Sequence, residues 1–383
     1  MSTDATPPGA PLAGGEPRRG PRLRIGGEWR HKAVAAVTDA GLRSRILAVV
    51  LALIAAIPVV IAAGASPGEV YEAMLEGSFG STQAFADVLN RADTFVLLGL
   101  GIAISIRTGF FNVGAEGQLW LGALGASIVA LYWDGPEPVV LVVALIAGFA
   151  FGALWSGLVA LLKIAFHVDE LISSLMLNYV AILLIGYLTF GPMKAYRAGQ
   201  TEVIDVELPI IFGDRLHAGF ILALVAVVVV WLLLSRTRLG YEMRTLGANP
   251  EAARYAGIHT GRVIAKVSLL SGGLCGLAGA HAILGVQHVL LSELSPGWGY
   301  TAIAVALLGG LAPVGVLLSG ILFGALEIGA TNMQFTAGVP ASLGSLIEGL
   351  ILVFFLISIP LSFRGIRRRL HLPRLRPARK GAD

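Results

Sequence analysis

Long apolar runs, separated by short polar intervals, dominate the chain from residue 46 onward. Runs with the length or spacing to cross a bilayer fall at 46–63, 94–106, 118–133, 139–164, 171–190, 218–234, 263–284, 300–311, 314–331 and 343–361. The pattern predicts an all-α polytopic membrane protein with about ten transmembrane helices. Several runs fall short of the roughly 20 residues that a perpendicular helix needs. Broken or short helices are expected there, because backbone freed from helical bonding is tolerated at depth only against protein or a water-filled cavity.

Polar residues interrupt the apolar pattern at a few places. The stretch Arg107-Thr108-Gly109-Phe110-Phe111-Asn112-Val113-Gly114-Ala115-Glu116-Gly117-Gln118 joins two short runs. It reads either as a cytoplasmic turn or as a broken helix that lines a cavity. Asp169 and Glu170 suit the start of the next helix, and Glu170, Ser174 and Asn178 share one of its faces, beside Ser173. Such a stripe faces a path or bonds a neighbouring helix. Glu327 and Glu348 read as packing residues with a hydroxyl or backbone partner, while Lys163 and Arg107 are expected to snorkel to the interface. Residues 271–279 are glycine-rich, which permits close helix packing, and the single Cys275 reads as a buried structural thiol.

The interval 236–262 is different, being basic and polar. Asn249 can N-cap a short helix, Pro250 suits its first position, and Glu251 suits its positive dipole end. Ala252, Ala253 and Ala256 favour helix, and Gly257 can terminate it. A helix this short is marginal alone in water and needs a partner surface.

Charge orients the chain. Arginines crowd before residue 46 and after residue 363, so both termini are expected in the cytoplasm, with an even number of crossings. The loop 236–262, with Arg236, Arg238, Arg244, Arg254 and Arg262, then falls inside. The loops 66–93 and 191–217 fall outside and carry an acidic excess. The expected organisation is a basic disordered tail at 1–44 with one short surface helix near 29–40, a membrane domain at 45–362, and a basic tail at 363–383. Ala63-Gly64-Ala65 looks like a cleavage site, but the charged leader favours an uncleaved first span.

Composition agrees: 56% of residues are hydrophobic and only 14% charged, against about 25% charged in soluble domains. The net charge of +4 is explained by topology and implies no nucleic-acid partner. No phosphate-binding Gly-x-x-x-x-Gly-Lys-Ser/Thr occurs, and no nucleophile–base set stands out. His217, His281 and His288 are scattered without metal-ligand spacing, so no metal site is assigned. The chain reads as a conduit whose energy comes from elsewhere. An internal echo pairs Gly152-Ala153-Leu154 before 171–177 with Gly324-Ala325-Leu326 before 343–350. An odd number of crossings separates the copies, as in an inverted repeat.

Four of these stretches carry a resemblance: 109–118, 169–179, 247–253, and 297–309 (Gly297-Trp298-Gly299-Tyr300-Thr301-Ala302 onward). In that order they resemble bacterial ABC importer permeases of the sugar, nucleoside and branched-chain amino-acid class, and most of all the guanosine/nucleoside-uptake branch. The resemblance spans roughly 46–362, and the tail before Arg43 departs from it. It implies a multi-pass permease of the bacterial cytoplasmic membrane, moving nucleosides by alternating access. It also implies three partners: a second permease, an ABC ATPase carrying ATP and Mg2+, and a lipid-anchored binding protein. The permease itself would bind no cofactor. Asn112, Glu116, Gln118, Ser174 and Asn178 would line the path, and Gly247, Ala248, Asn249, Pro250, Glu251, Ala252, Ala253 and Arg254 would couple to the ATPase. Phe110, Phe111, Trp120 and Tyr179 would stack on a base, or else serve as core or lipid-facing residues. The competing readings are the same mechanism for simple sugars or another polar solute, an ion-coupled secondary transporter, and an intramembrane enzyme or inert scaffold.

Overall fold

The computed structural model describes residues 41–340 and 342–369. Most of the expected N-terminal tail, its short helix near 29–40, and the chain beyond 369 lie outside the described residues. The rest is almost wholly helical: α1 Leu42–Ala62, α2 Pro67–Phe79, α3 Thr82–Arg107, α4 Ala115–Tyr132, α5 Glu137–Phe166, α6 Glu170–Phe190, α7 Gly219–Arg236, α8 Arg238–Ala248, α9 Pro250–Tyr255, α10 Thr260–Ala282, α11 Trp298–Leu308, α12 Pro313–Ala337 and α13 Ser342–Arg369. Every apolar run forms a helix. Among the described residues, seven helices are long and apolar enough to cross a membrane, and α11 and Ser342–Ile357 are shorter apolar helices. The 18-residue α4 begins with the polar Glu116 and Gln118, which dilute its hydropathy.

Helices α3 and α10 run antiparallel at the centre. Ser271 Oγ donates to the Gly101 carbonyl at 2.7 Å, and Cys275 Sγ lies 3.9 Å from the Leu98 carbonyl. The glycine-rich part of α10 does what its composition suggests. A Cβ at Gly276 would meet the backbone of Gly148 and Gly152 on α5, and one at Gly122 on α4 would meet Gly276. Backbones this close maximise dispersion contact where lipid supplies no hydrophobic drive. On the other side, Gly324 of α12 packs against the backbone of Val88 and Ala92 on α3. The two echoed glycines, Gly152 and Gly324, thus play equivalent parts, each seating its helix on one of the two central helices.

Two expected external loops are more structured than their composition suggests. The interval 66–93 folds into α2 and the first turns of α3, capped by the Ser81 side chain accepting from Ala84 N at 3.0 Å. The interval 191–217 becomes a strap: Thr201, Ile204 and Leu208 N–H groups donate to the carbonyls of Leu290, His288 and Leu284. It ends in a small antiparallel hairpin, β1 Ile210–Phe212 and β2 Leu216–His217, a minor departure from an all-α chain.

The strap corrects one expectation. His217 and His281, distant in sequence, meet Asp93 in a buried cluster at the end of the bundle opposite α9. Burial first, then the neighbouring His281 and His288, lowers the His217 pKa to about 3, so its imidazole is neutral. A second correction concerns the cations expected to snorkel. Lys163 instead pairs with Glu170 and lies 5.8 Å from the Phe110 ring centroid. Arg107 Nε donates to the Leu311 carbonyl at 2.7 Å. Both are held by partners on neighbouring elements rather than extended along the helix surface.

Candidate substrate path and coupling surface

Beyond Arg107 the chain does not simply turn. Gly109, at φ 79°, lets it reverse, and Asn112 then reaches back to the middle of α10. There Asn112 Nδ2 donates to Ser271 Oγ at 2.9 Å and to Gln118 Oε1 at 2.8 Å, while its Oδ1 accepts from Gln118 Nε2 and Gly114 N. Helix α4 therefore begins level with the middle of α10, not at its end. The stretch 107–118 is re-entrant, the broken-helix alternative.

Helix α11 begins at the same level. Glu116 Oε2 accepts from Gly299 N at 2.7 Å and its Oε1 from Trp120 Nε1 at 3.0 Å. From there α4 runs outward along α10 toward Gly276, while α11 runs the other way, toward Leu311 beside Arg107. Two half-helices thus point their N-termini at one another with the Glu116 carboxylate between them. Their aligned peptide dipoles favour negative charge at that point.

Asn178 completes the knot. Its Oδ1 accepts from Gly117 N at 2.8 Å, and its Nδ2 donates to the Val113 carbonyl at 3.0 Å and the Tyr300 hydroxyl at 3.1 Å. Asn112, Glu116, Gln118, Ser174 and Asn178 are all buried, and Glu170, Ser174 and Asn178 do share an inward face. The structure brings Asn112, Glu116, Gln118 and Asn178 together, whereas Ser174 bonds its own helix at Leu171. Of the aromatic candidates, Phe110 and Trp120 are core and Tyr179 is exposed.

A second, partly exposed polar cluster adjoins this knot. Trp298 Nε1 donates to Glu327 Oε1 at 2.9 Å, and Arg91 Nε lies 3.5 Å from Glu327 Oε2. The Arg91 guanidinium also stands 4.1 Å over the Trp298 ring, within cation–π range. Thr301 Oγ1 donates to Glu348 Oε2 at 3.4 Å, the hydroxyl partner expected of that glutamate. The Arg91 and Glu327 side chains remain 18% and 23% exposed. Sequence reasoning missed Arg91, Trp298, Tyr300 and Thr301 as candidates. Arg91 looked like an ordinary external-loop charge, and only the level at which α11 starts turns Tyr300 toward Asn178.

At the other end, α9 forms as its capping signals dictate. Asn249 Oδ1 accepts from Glu251 N at 2.9 Å and Ala252 N at 3.2 Å, Pro250 is the first residue, and Gly257 terminates at φ 78°. Glu251, Ala252, Arg254 and Tyr255 are exposed, and Ala253 is buried. The base of this hairpin is tightly seated. Gly247 packs so closely on the Arg107 carbonyl that a Cβ would collide with it. Helix α8, which leads directly into the exposed α9, is therefore seated on the end of α3, immediately before the re-entrant stretch.

A family model described as the branched-chain amino acid transport system permease component matches residues 84–356. The guanosine ABC transporter permease protein NupP of Bacillus subtilis is 34% identical over 83% of this chain and 94% of its own length. The glucose ABC transporter permease protein TsgB13 of Haloferax volcanii is 35% identical over 82% of this chain and 86% of its own. The nucleoside ABC transporter permease protein NupB of Lactococcus lactis is 27% identical over 82% and 90%. With re-entrant half-helices, a capped exposed hairpin and a match over most of its length, the chain belongs to the ABC transporter permeases of the sugar and nucleoside class, in the branched-chain amino acid permease family.

Proposed function

We propose that this chain is one half-channel of an ATP-driven nucleoside importer of the bacterial cytoplasmic membrane, with both termini inside. The observation that carries the reading is the seat of Gly247 on the Arg107 carbonyl. A push on α9 passes through α8 and that contact into the turn whose far end, Asn112 to Gln118, holds the meeting point of α4 and α11. A separate ATPase, bearing ATP and Mg2+, supplies the push against Glu251 and Arg254, with Gly247 through Arg254 as the docking hairpin. The chain itself is not an enzyme.

The partly exposed row of Tyr300, Thr301, Glu327 and Glu348 lies at membrane depth, where a carboxylate facing lipid costs a few kcal/mol. A second permease covering that row would remove the cost and complete a polar path, fed from outside by a lipid-anchored binding protein. In this arrangement Asn112, Glu116, Gln118, Ser174 and Asn178 shape the path, and Asn178 acts on it through Tyr300. Two nucleoside relatives favour nucleosides, and the glucose relative makes a sugar the second reading.

Changing Glu251 and Arg254 together to alanine in the reconstituted complex should abolish substrate-stimulated ATP hydrolysis while the complex still assembles. Undiminished stimulation would remove the coupling role. Uptake of labelled guanosine that unlabelled guanosine but not glucose competes selects the nucleoside reading; uptake of labelled glucose that guanosine does not compete selects the sugar.

A further inference from the structure

Asp93, His217 and His281 belong to three separate elements, α3, β2 and α10, yet meet with relative exposures of 0%, 2% and 0%. His281 Nε2 lies 2.9 Å from Asp93 Oδ2 and 3.3 Å from His217 Nδ1. One ligand atom from each residue falls within 4.8 Å of the others.

Unpartnered polar atoms set this cluster apart from an ordinary buried hydrogen-bond chain. Asp93 Oδ2 and His217 Nδ1 both lie within reach of the one atom His281 Nε2. Asp93 Oδ2 has no aligned donor, and His217 Nε2 and His281 Nδ1 also lack partners among the described residues. The Thr94 hydroxyl reaches only the other carboxylate oxygen, at 3.3 Å. Buried polar atoms without partners are costly, and a cation shared by the three side chains lowers that cost. The rings are also held in place. A Cβ at Gly219 would collide with the His281 ring, and one at Gly285 would crowd the His217 ring.

We propose that Asp93 Oδ2, His217 Nδ1 and His281 Nε2 are three ligands of a Zn2+ ion that clamps the outer ends of α3 and α10 to the start of α7. Tetrahedral zinc with bonds of about 2.0–2.2 Å sets its ligands about 3.3–3.5 Å apart. His281 Nε2 lies 3.3 Å from His217 Nδ1, within that range, and 2.9 Å from Asp93 Oδ2, a few tenths of an ångström closer. Two imidazoles and a carboxylate suit Zn2+, whereas Ca2+ and Mg2+ prefer all-oxygen sets. His217 also lines a cavity of about 220 Å3 whose wall carries Glu207, Asp214 and His288.

The test uses the full-length, tag-free chain in detergent, stripped with a chelator and titrated with Co2+. One Co2+ per chain, with the visible absorption of four-coordinate cobalt, displaced by Zn2+ and accompanied by a raised Tm, is expected. X-ray absorption of the Zn2+-loaded chain should count two imidazole nitrogens and an oxygen. His217→Gln and Asp93→Asn should each weaken Co2+ binding by at least about tenfold. The proposal is overturned if no stoichiometric Co2+ binds, if fewer than two imidazoles are counted, or if both variants bind like the parent. The first two readouts need no variant, so a misfolded mutant leaves the outcome decidable. None depends on transport.

Discussion

Asn178 is buried, and its amide satisfies three groups at once: the Gly117 N–H, the Val113 carbonyl and the Tyr300 hydroxyl. Replacing it with alanine would strand a buried N–H in the first turn of α4. An unsatisfied buried group costs about 1–3 kcal/mol. Asn178→Ala should therefore lower Tm in detergent and depress uptake more than complex assembly. Assembly lost with uptake in proportion would reduce Asn178 to a packing residue. The Glu116 carboxylate is held in a similar way, by the Gly299 N–H and the Trp120 indole. The amino acids of the path were legible individually, because Asn, Gln and Glu stand out among apolar neighbours. Their partners were not, since Gly299 and Tyr300 lie far along the chain and contribute a backbone N–H and a phenol.

At the scale of elements, glycine positions decide which helices touch. Gly152 seats α5 on α10, and Gly324 seats α12 on α3. Overpacking a tight contact costs typically about 1–3 kcal/mol. Gly152→Leu and Gly324→Leu should both destabilise the purified chain, by comparable shifts in thermal midpoint. A large loss from one and none from the other would count against equivalent halves. The helices themselves were readable from apolar runs, and α9 from its Asn-Pro-Glu cap. The start of α4 was not decidable from sequence. A turn at the membrane surface and a return to mid-depth need the same glycines, and only the Asn112 bond to Ser271 separates them.

For the whole molecule, the proposed orientation puts α9 inside and the strap outside. Tyr255 is 93% exposed and Tyr196 is 101% exposed, while the single cysteine, Cys275, is buried and should stay silent toward thiol reagents. In intact cells a membrane-impermeant maleimide should label Tyr196→Cys readily and Tyr255→Cys only after permeabilisation. The opposite pattern would invert the topology drawn from charge. Any labelling of both variants in sealed cells would break the assignment of the two loops to different sides.

By itself the sequence determined that this is a helical membrane protein, where its helices run, and which loop carries a capped surface helix. Those properties depend on local hydropathy, on charge near span ends and on capping chemistry within a few residues. It also carried four stretches sufficient for a family resemblance. Tertiary structure decided the rest. It made 107–118 re-entrant, set the N-termini of α4 and α11 against Glu116, gave Lys163 and Arg107 partners on neighbouring elements, and gathered Asp93, His217 and His281. Each of these joins groups distant along the chain or chooses between arrangements of equal local chemistry. Only the packed bundle can make that choice, because burial requires every polar group to find a partner wherever the chain has brought one.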